Sequence, residues 1–118
     1  MTYDDSAAQA AATYFEAWQA RDFARLRSVL ADDVDFIGPL GQARGGNECL
    51  RGLEGMSRIM TGIEVGKVFT DGPDVLTWYE MATTVADPVP VANWMQVSDS
   101  KITRIRVAFD ARGFGAGS

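Results

Sequence analysis

Few residues in this chain could move a proton. There is no histidine, which removes the commonest general base and the commonest metal ligand together. Cys49 is the one cysteine, so a zinc site would need carboxylates around a single thiolate, a poor donor set for that ion. Two polar side chains sit in apolar surroundings: Tyr14 on the apolar face of a helix, and Asn93 inside an apolar strand. A phenol and a carboxamide both donate hydrogen bonds without ionising. Such groups hold a carbonyl or a hydroxyl; they do not abstract a proton. Each also has a structural reading. Tyr14 can be a core aromatic with its hydroxyl satisfied. A buried amide costs free energy unless paired, so Asn93 is either a structural partner of Tyr14 or Tyr79, or a handle for a ligand. Cys49 lies near the start of a helix, where a thiol pKa can fall, but no base is near it in sequence and it reads as a small buried residue. Asp32-Asp33 reads as a surface pair that ends a helix. The Gly41 to Gly46 run lacks the Lys-Ser/Thr pair of a phosphate loop.

The elements that must position these groups follow from hydrophobic period. Asp4, Asp5 or Ser6 can cap a first helix. Its apolar face carries Ala11, Tyr14, Phe15 and Trp18 at helical spacing. Asp22 can cap a second helix with Phe23, Leu26, Val29 and Leu30, stopped by Ala31-Asp32-Asp33. A short strand from Val34 to Gly38 ends at Pro39, and Leu40 to Gly46 reads as a glycine-rich loop. Asn47 is the expected cap of a third helix bearing Cys49, Leu50, Leu53, Met56, Ile59 and Met60, ended by Thr61-Gly62. Strands are expected over 63–70, 75–85, 91–97 and 102–109, with a strong turn at Asp71-Gly-Pro-Asp74 and a hairpin loop at Ser98-Asp-Ser-Lys101. Gly113 to Ser118 reads as a frayed tail.

A chain of 118 residues with 47% apolar content is one domain, spanning 1–118, with enough material for a core. The formal charge of -5 disfavours nucleic acid. Arg104 and Arg106 form too small a basic pair for a phosphate track. No stretch approaches the ~18 apolar residues of a membrane span, and the acidic start lacks the features of a signal peptide. A lone cysteine fits a reducing, cytoplasmic setting.

The stretch "YFEAWQARDFARLRSVLADDVDF", a third helix after "GG", and the closing "DSKITRIRVAFDARGF" resemble the nuclear transport factor 2-like superfamily, and more narrowly its SnoaL-like branch. The resemblance runs from about Ala10 to Phe114. It implies an α+β fold: a curved, mostly antiparallel sheet wrapped round three helices as a cone-shaped barrel, usually dimeric. Following its ketosteroid isomerases, Phe36 and Gly38 face inward. Strand alternation then turns Thr77, Tyr79, Met81, Asn93, Met95, Val97, Ile105, Val107 and Phe109 inward. Trp78, Glu80, Trp94, Gln96, Arg104 and Arg106 turn outward.

The resemblance also implies roles, residue by residue. Tyr14 matches the isomerases' oxyanion-donating tyrosine. Their base, an Asp before a Pro in the first strand, is replaced here by Gly38. Their second acid, kept neutral by burial so that it donates a hydrogen bond, falls on Asn93. An amide there can still donate, with no pKa shift needed. The superfamily's epoxide hydrolases need an Asp-Arg-Asp set, and those positions hold Met81, Tyr79 and Val107. The polyketide cyclases' carboxylate falls near Asp110, which alternates away from the interior. A small, largely apolar ligand is therefore expected against Tyr14, Trp18, Phe36, Gly38, Met56, Met60, Tyr79, Met81, Asn93, Met95, Val107 and Phe109. Isomerase- or cyclase-like action on a polycyclic ketone is the catalytic form of this expectation, with no metal or cofactor implied. A non-catalytic carrier, or an interaction module with a filled interior, is the alternative. On the outer face Trp78 and Trp94 suggest a homodimer surface flanked by Glu80, Arg104 and Arg106. Glu80 reads as a cross-strand ion-pair partner of those arginines, and Asp35 as solvated.

Overall fold

The computed structural model describes residues 6–114, so Asp4 and Asp5, expected with Ser6 as caps, lie outside the described residues, as do residues 115–118 of the tail. Helix α1 spans Ser6–Ala20 and buries Ala7, Ala10, Ala11, Tyr14, Phe15, Ala17 and Trp18, the stripe that the hydrophobic period predicts. Arg21, at φ 56°, ends it in the left-handed region. The Arg21 guanidinium then donates to the Ser57 and Met60 carbonyls at 2.8 and 3.0 Å, tying the end of α1 to the far side of the third helix. Asp22 caps α2 (Phe23–Val29) by accepting from the Arg25 N–H at 3.2 Å.

Strand β1 begins at once, spanning Leu30–Gly38. Ala31-Asp32-Asp33, expected as a helix end, is thus strand. The reason is tertiary: Leu30 already pairs with Ile102. Arg27 holds the corner by donating to the Leu30 carbonyl, to Asp32 and to Asn47 at 3.0, 2.8 and 2.9 Å.

The expected glycine-rich loop also contains a strand, β2 (Gly41–Arg44), which pairs antiparallel with β1 across the Pro39-Leu40 turn. Helix α3 (Gly46–Ser57) starts after Gly45, at φ 89°, and not at Asn47, whose side chain is occupied by Arg27. A Cβ at Gly46 would lie 2.3 Å from the Arg27 guanidinium carbon, so a larger residue there would displace the arginine from this position.

Four long strands follow: β3 (Met60–Asp71), β4 (Asp74–Thr83), β5 (Val89–Ser98) and β6 (Lys101–Ala108). The β5–β6 hairpin turns on Asp99 and Ser100, both at positive φ (52° and 63°), the handedness that two-residue hairpins require. The sheet order is β2-β1-β6-β5-β4-β3. Only β1 and β6 run parallel. Register shifts within β3–β4 and β5–β6 mark bulges of the kind that bend a sheet. The sheet curves over the helices but does not close into a barrel: β2 and β3 are its two ends.

Alternation places the faces as expected. Val75, Thr77, Tyr79 and Met81 of β4, with Val91, Asn93, Met95 and Val97 of β5, are buried inward, while Leu76, Trp78, Glu80 and Trp94 are exposed. The outer ion pair is different from the expected one. Arg106 pairs with Asp35 at 2.9 Å, because β6 lies beside β1 in register Ile37↔Arg106. Glu80 stands two strands away, opposite Pro90, and Asp35 is half-buried and paired, not solvated. Among the described residues no helix is long and apolar enough to cross a membrane.

Candidate functional site

The inner face of the curved sheet is wider than α1 and α3 can cover. What remains is an apolar cavity of about 410 Å³, within the range of small-molecule sites. α1 contributes Tyr14 and Trp18. α3 and the segment just after it contribute Cys49, Gly52, Leu53, Gly55, Met56 and Ile59. The β1–β2 hairpin supplies Phe36 and the run from Gly38 to Ala43, and the sheet supplies Tyr79, Met81, Val107 and Phe109.

Tyr14, Trp18, Phe36, Gly38, Met56, Tyr79, Met81, Val107 and Phe109 are expected here from the sequence, and all nine line the cavity. Met60, Met95 and Asn93 are buried but are not among its lining residues. Met60 and Met95 belong to the core. Asn93 sits one ladder step deeper than Tyr79, opposite Thr77 on one side and Val107 on the other. The hairpin residues Pro39 to Ala43 escape sequence reasoning because the run reads as a loop. Cys49, which reads as merely small and buried, lines the cavity too; its place on the Cys49–Leu53–Met56 stripe is the available signal.

Three un-ionised donors gather in this interior. Tyr14 is 1% exposed. Its phenol is held well above the ordinary range by burial, with Cys49 and Tyr79 nearby adding to the effect. Burial likewise pushes Tyr79 up, and the Asn93 amide beside it opposes the rise. That amide nevertheless reaches full hydrogen-bond geometry with no partner, leaving both its oxygen and its nitrogen unpaired. Asn93 is therefore a close neighbour of Tyr79 without being a true structural partner. The Trp18 ring lies 5.9 Å from Tyr14, centroid to centroid, and its Nε1 donates to the Leu53 carbonyl at 2.9 Å. Phe15 packs edge-on to both tyrosines, with centroids 5.0 Å away in each case.

Burial raises the Cys49 thiol to about 12 from an ordinary 9.0, against the pull of Arg27. A folded value above the unfolded one means the stability this group contributes is whole below about pH 9 and is lost as pH climbs toward 12. The unfolding temperature is therefore expected to fall in that window, and to fall less steeply in Cys49→Ala. The native thiol should also react with an aromatic disulfide reagent near neutral pH at about one-hundredth of its rate in denaturant or less; equal rates would show an accessible thiolate.

No lining residue carries a carboxylate, a lysine or an arginine. Gly38, Met81, Tyr79 and Val107 converge on the same space. Asp110 faces out, half-exposed, and pairs with Arg112 at 2.5 Å. That pairing holds its carboxyl down to about 2. Among the described residues no group of three or more Cys, Asp or Glu side chains is placed to hold a metal ion. The arrangement can bury an apolar body and donate hydrogen bonds to one end of it.

Known structures share this architecture. A Kribbella flavida protein is 29% identical, with 96% of this chain and 93% of that one aligned at a TM-score of 0.89. An NTF2-like protein of unknown function from Cytophaga hutchinsonii is 21% identical, covering 97% and 98% of the two chains at 0.84. An LEH-like epoxide hydrolase of M. tuberculosis is 24% identical, covering 95% and 88% at 0.79. No curated protein matches the sequence significantly. Residues 11–105 match the SnoaL-like domain, and the chain belongs to that family within the NTF2-like fold.

Proposed function

We propose that this protein binds a small, largely apolar molecule whose single polar end, a carbonyl or hydroxyl, accepts a hydrogen bond from Tyr14. The observation that carries this reading is the cavity itself: about 410 Å³ with apolar walls and no charged side chain in its lining. A filled interior would have supported an interaction module; the space beneath the sheet supports a ligand. Tyr79, Cys49 and Gln42 are the other donors in the lining, while Asn93 lies beside Tyr79 with its own amide unpaired. A polycyclic ketone of the steroid or polyketide type fits the volume and the one-ended polarity. With Gly38 in place of a base, isomerase- or cyclase-like turnover would rest on oxyanion stabilisation and shape, with water or the substrate taking the proton. The same lack favours carriage over turnover. Hydrolysis of epoxides is not part of the reading, since the three positions that chemistry needs are Met81, Tyr79 and Val107.

A thermal-shift panel of steroids, polyketide-like ketones, terpenoids and fatty acids tests it. A ligand at about 100 times its dissociation constant adds about 2.7 kcal/mol of stability. A shift with ketones and none with fatty acids is expected, because no cation lines the cavity to meet a carboxylate. No shift with any member would overturn the reading.

The outer face supports a second copy of the chain as partner. Leu76, Trp78 and Trp94 are 42%, 49% and 38% exposed on adjoining strands. Glu80 and Arg104 stand at opposite corners of this patch, on β4 and β6. A patch with opposite charges at its two corners suits a two-fold interface. Trp78→Glu is expected to convert a dimer into a folded monomer in sedimentation, and an unchanged mass would remove this face from consideration.

A further inference from the structure

Resting on the ligand-binding reading above, we propose that Gly52 and Gly55 set the width of ligand the cavity accepts, keeping its α3 wall flat enough for a fused-ring body. Both lie inside α3, three residues apart and so on one face of the helix. Glycine is the poorest helix former after proline, so two beyond the first position of a helix of 12 residues need a reason. The usual reasons are missing. Neither residue has a positive φ, and a Cβ built on either would meet nothing within 4 Å. Close packing against a neighbour therefore does not demand them. What the two positions share is that both border the cavity.

A second observation points to an occupant of the same space. Tyr14, 1% exposed, lines the cavity, and its hydroxyl has no hydrogen-bond partner among the described residues. A donor on the cavity wall that makes no hydrogen bond within the protein is open to a ligand's carbonyl or hydroxyl. Gly38 and Gly41 flank the Pro39-Leu40 turn and line the cavity across from α3. These two have local reasons to be glycine: Gly41 is at φ 149°, and a Cβ on Gly38 would lie 3.2 Å from the Phe36 ring. The bare backbone at Gly52 and Gly55 leaves a slot along α3 that side chains there would narrow. A slot admits a planar multi-ring skeleton; a flexible chain of the same polarity needs no such room.

The test compares a wide and a narrow ketone, progesterone and 2-undecanone, by calorimetric titration of the intact protein. Gly52→Leu/Gly55→Leu is expected to weaken progesterone binding about tenfold or more, the scale on which extra methylenes act in a pocket, and to leave 2-undecanone within about twofold. Gly52→Ala/Gly55→Ala should raise the unfolding temperature by roughly 3–6 °C. That rise shows the helix does not need its glycines and that any lost affinity is not lost folding. Equal weakening of both ketones, or no weakening of progesterone, overturns the width assignment while the ligand-binding reading stands. Failure of the wild-type protein to bind either ketone overturns both together. A fall in unfolding temperature with alanine would show that the glycines serve the fold, which also overturns the width assignment.

Discussion

Truncating Trp18 to alanine is expected to lower the free energy of unfolding by about 3–5 kcal/mol, a large share of the roughly 5–15 kcal/mol that holds a domain together. Trp18 is 4% exposed and belongs to the central cluster. Its ring adjoins Tyr14, and its Nε1 donates to the Leu53 carbonyl at 2.9 Å, joining α1 to α3 across 35 residues of sequence. The site has no means of collapse, because one side of the ring already faces the cavity; removal would enlarge that space instead of drawing neighbours inward. Trp18→Phe keeps a ring in place and loses the hydrogen bond, for about 1 kcal/mol. Urea unfolding followed by circular dichroism measures both. A cost below about 1 kcal/mol for Trp18→Ala would mean that α1 and α3 are held together elsewhere.

Tyr14→Phe is expected to do the reverse: little to the fold and much to the ligand. Tyr14 lines the cavity and its hydroxyl makes no hydrogen bond among the described residues, so its removal should leave stability within about 0.5 kcal/mol of wild type. Affinity for a ketone should fall about tenfold or more, since a hydrogen bond would be lost at a hydroxyl shielded from bulk water. A hydrocarbon of the same skeleton provides the contrast and should bind both proteins alike. A destabilised Tyr14→Phe with unchanged ketone affinity would move the tyrosine from the ligand to the core. Tyr79→Phe is the companion variant. Its loss should be smaller, because the Asn93 amide already lies beside that hydroxyl.

Where a segment's period is decided by its own burial, the sequence is legible. β4 and β5 alternate strictly between core and outer face, so Tyr79, Met81 and Trp78 can be assigned sides from the sequence alone. α1 carries its stripe at helical spacing, which places Tyr14 and Trp18 together. Legibility ends where a partner far along the chain decides. Ala31-Asp32-Asp33 has no local reason to be extended; it becomes strand because Leu30 meets Ile102. Gly41 to Arg44 is too short and too polar to read as a strand alone, and it owes its form to pairing with β1. Asp35 and Arg106 can be paired only once β6 is known to lie beside β1. At the site, alternation assigns Asn93 the correct face but not its depth, since depth depends on how far each ladder step lies from the mouth. The glycines of α3 look like weaknesses in a helix, and their place on a cavity wall is a property of the assembled sheet.

The parallel pairing of β1 with β6 also governs how the chain must fold. Asp35 meets Arg104 only after the intervening chain has been made, so loop-closure entropy is met late and in one step. Taking β6 out of the strand order divides the sheet into two pieces, the β1–β2 hairpin and the β3–β4–β5 meander. β6 is the seam that joins them and roofs the cavity between. A nascent chain arrested before β6 would therefore expose the inner faces of both pieces to water, an aggregation-prone state of the kind that high contact order prolongs. Chaperone dependence should accordingly fall sharply once the stretch from Lys101 to Ala108 has emerged.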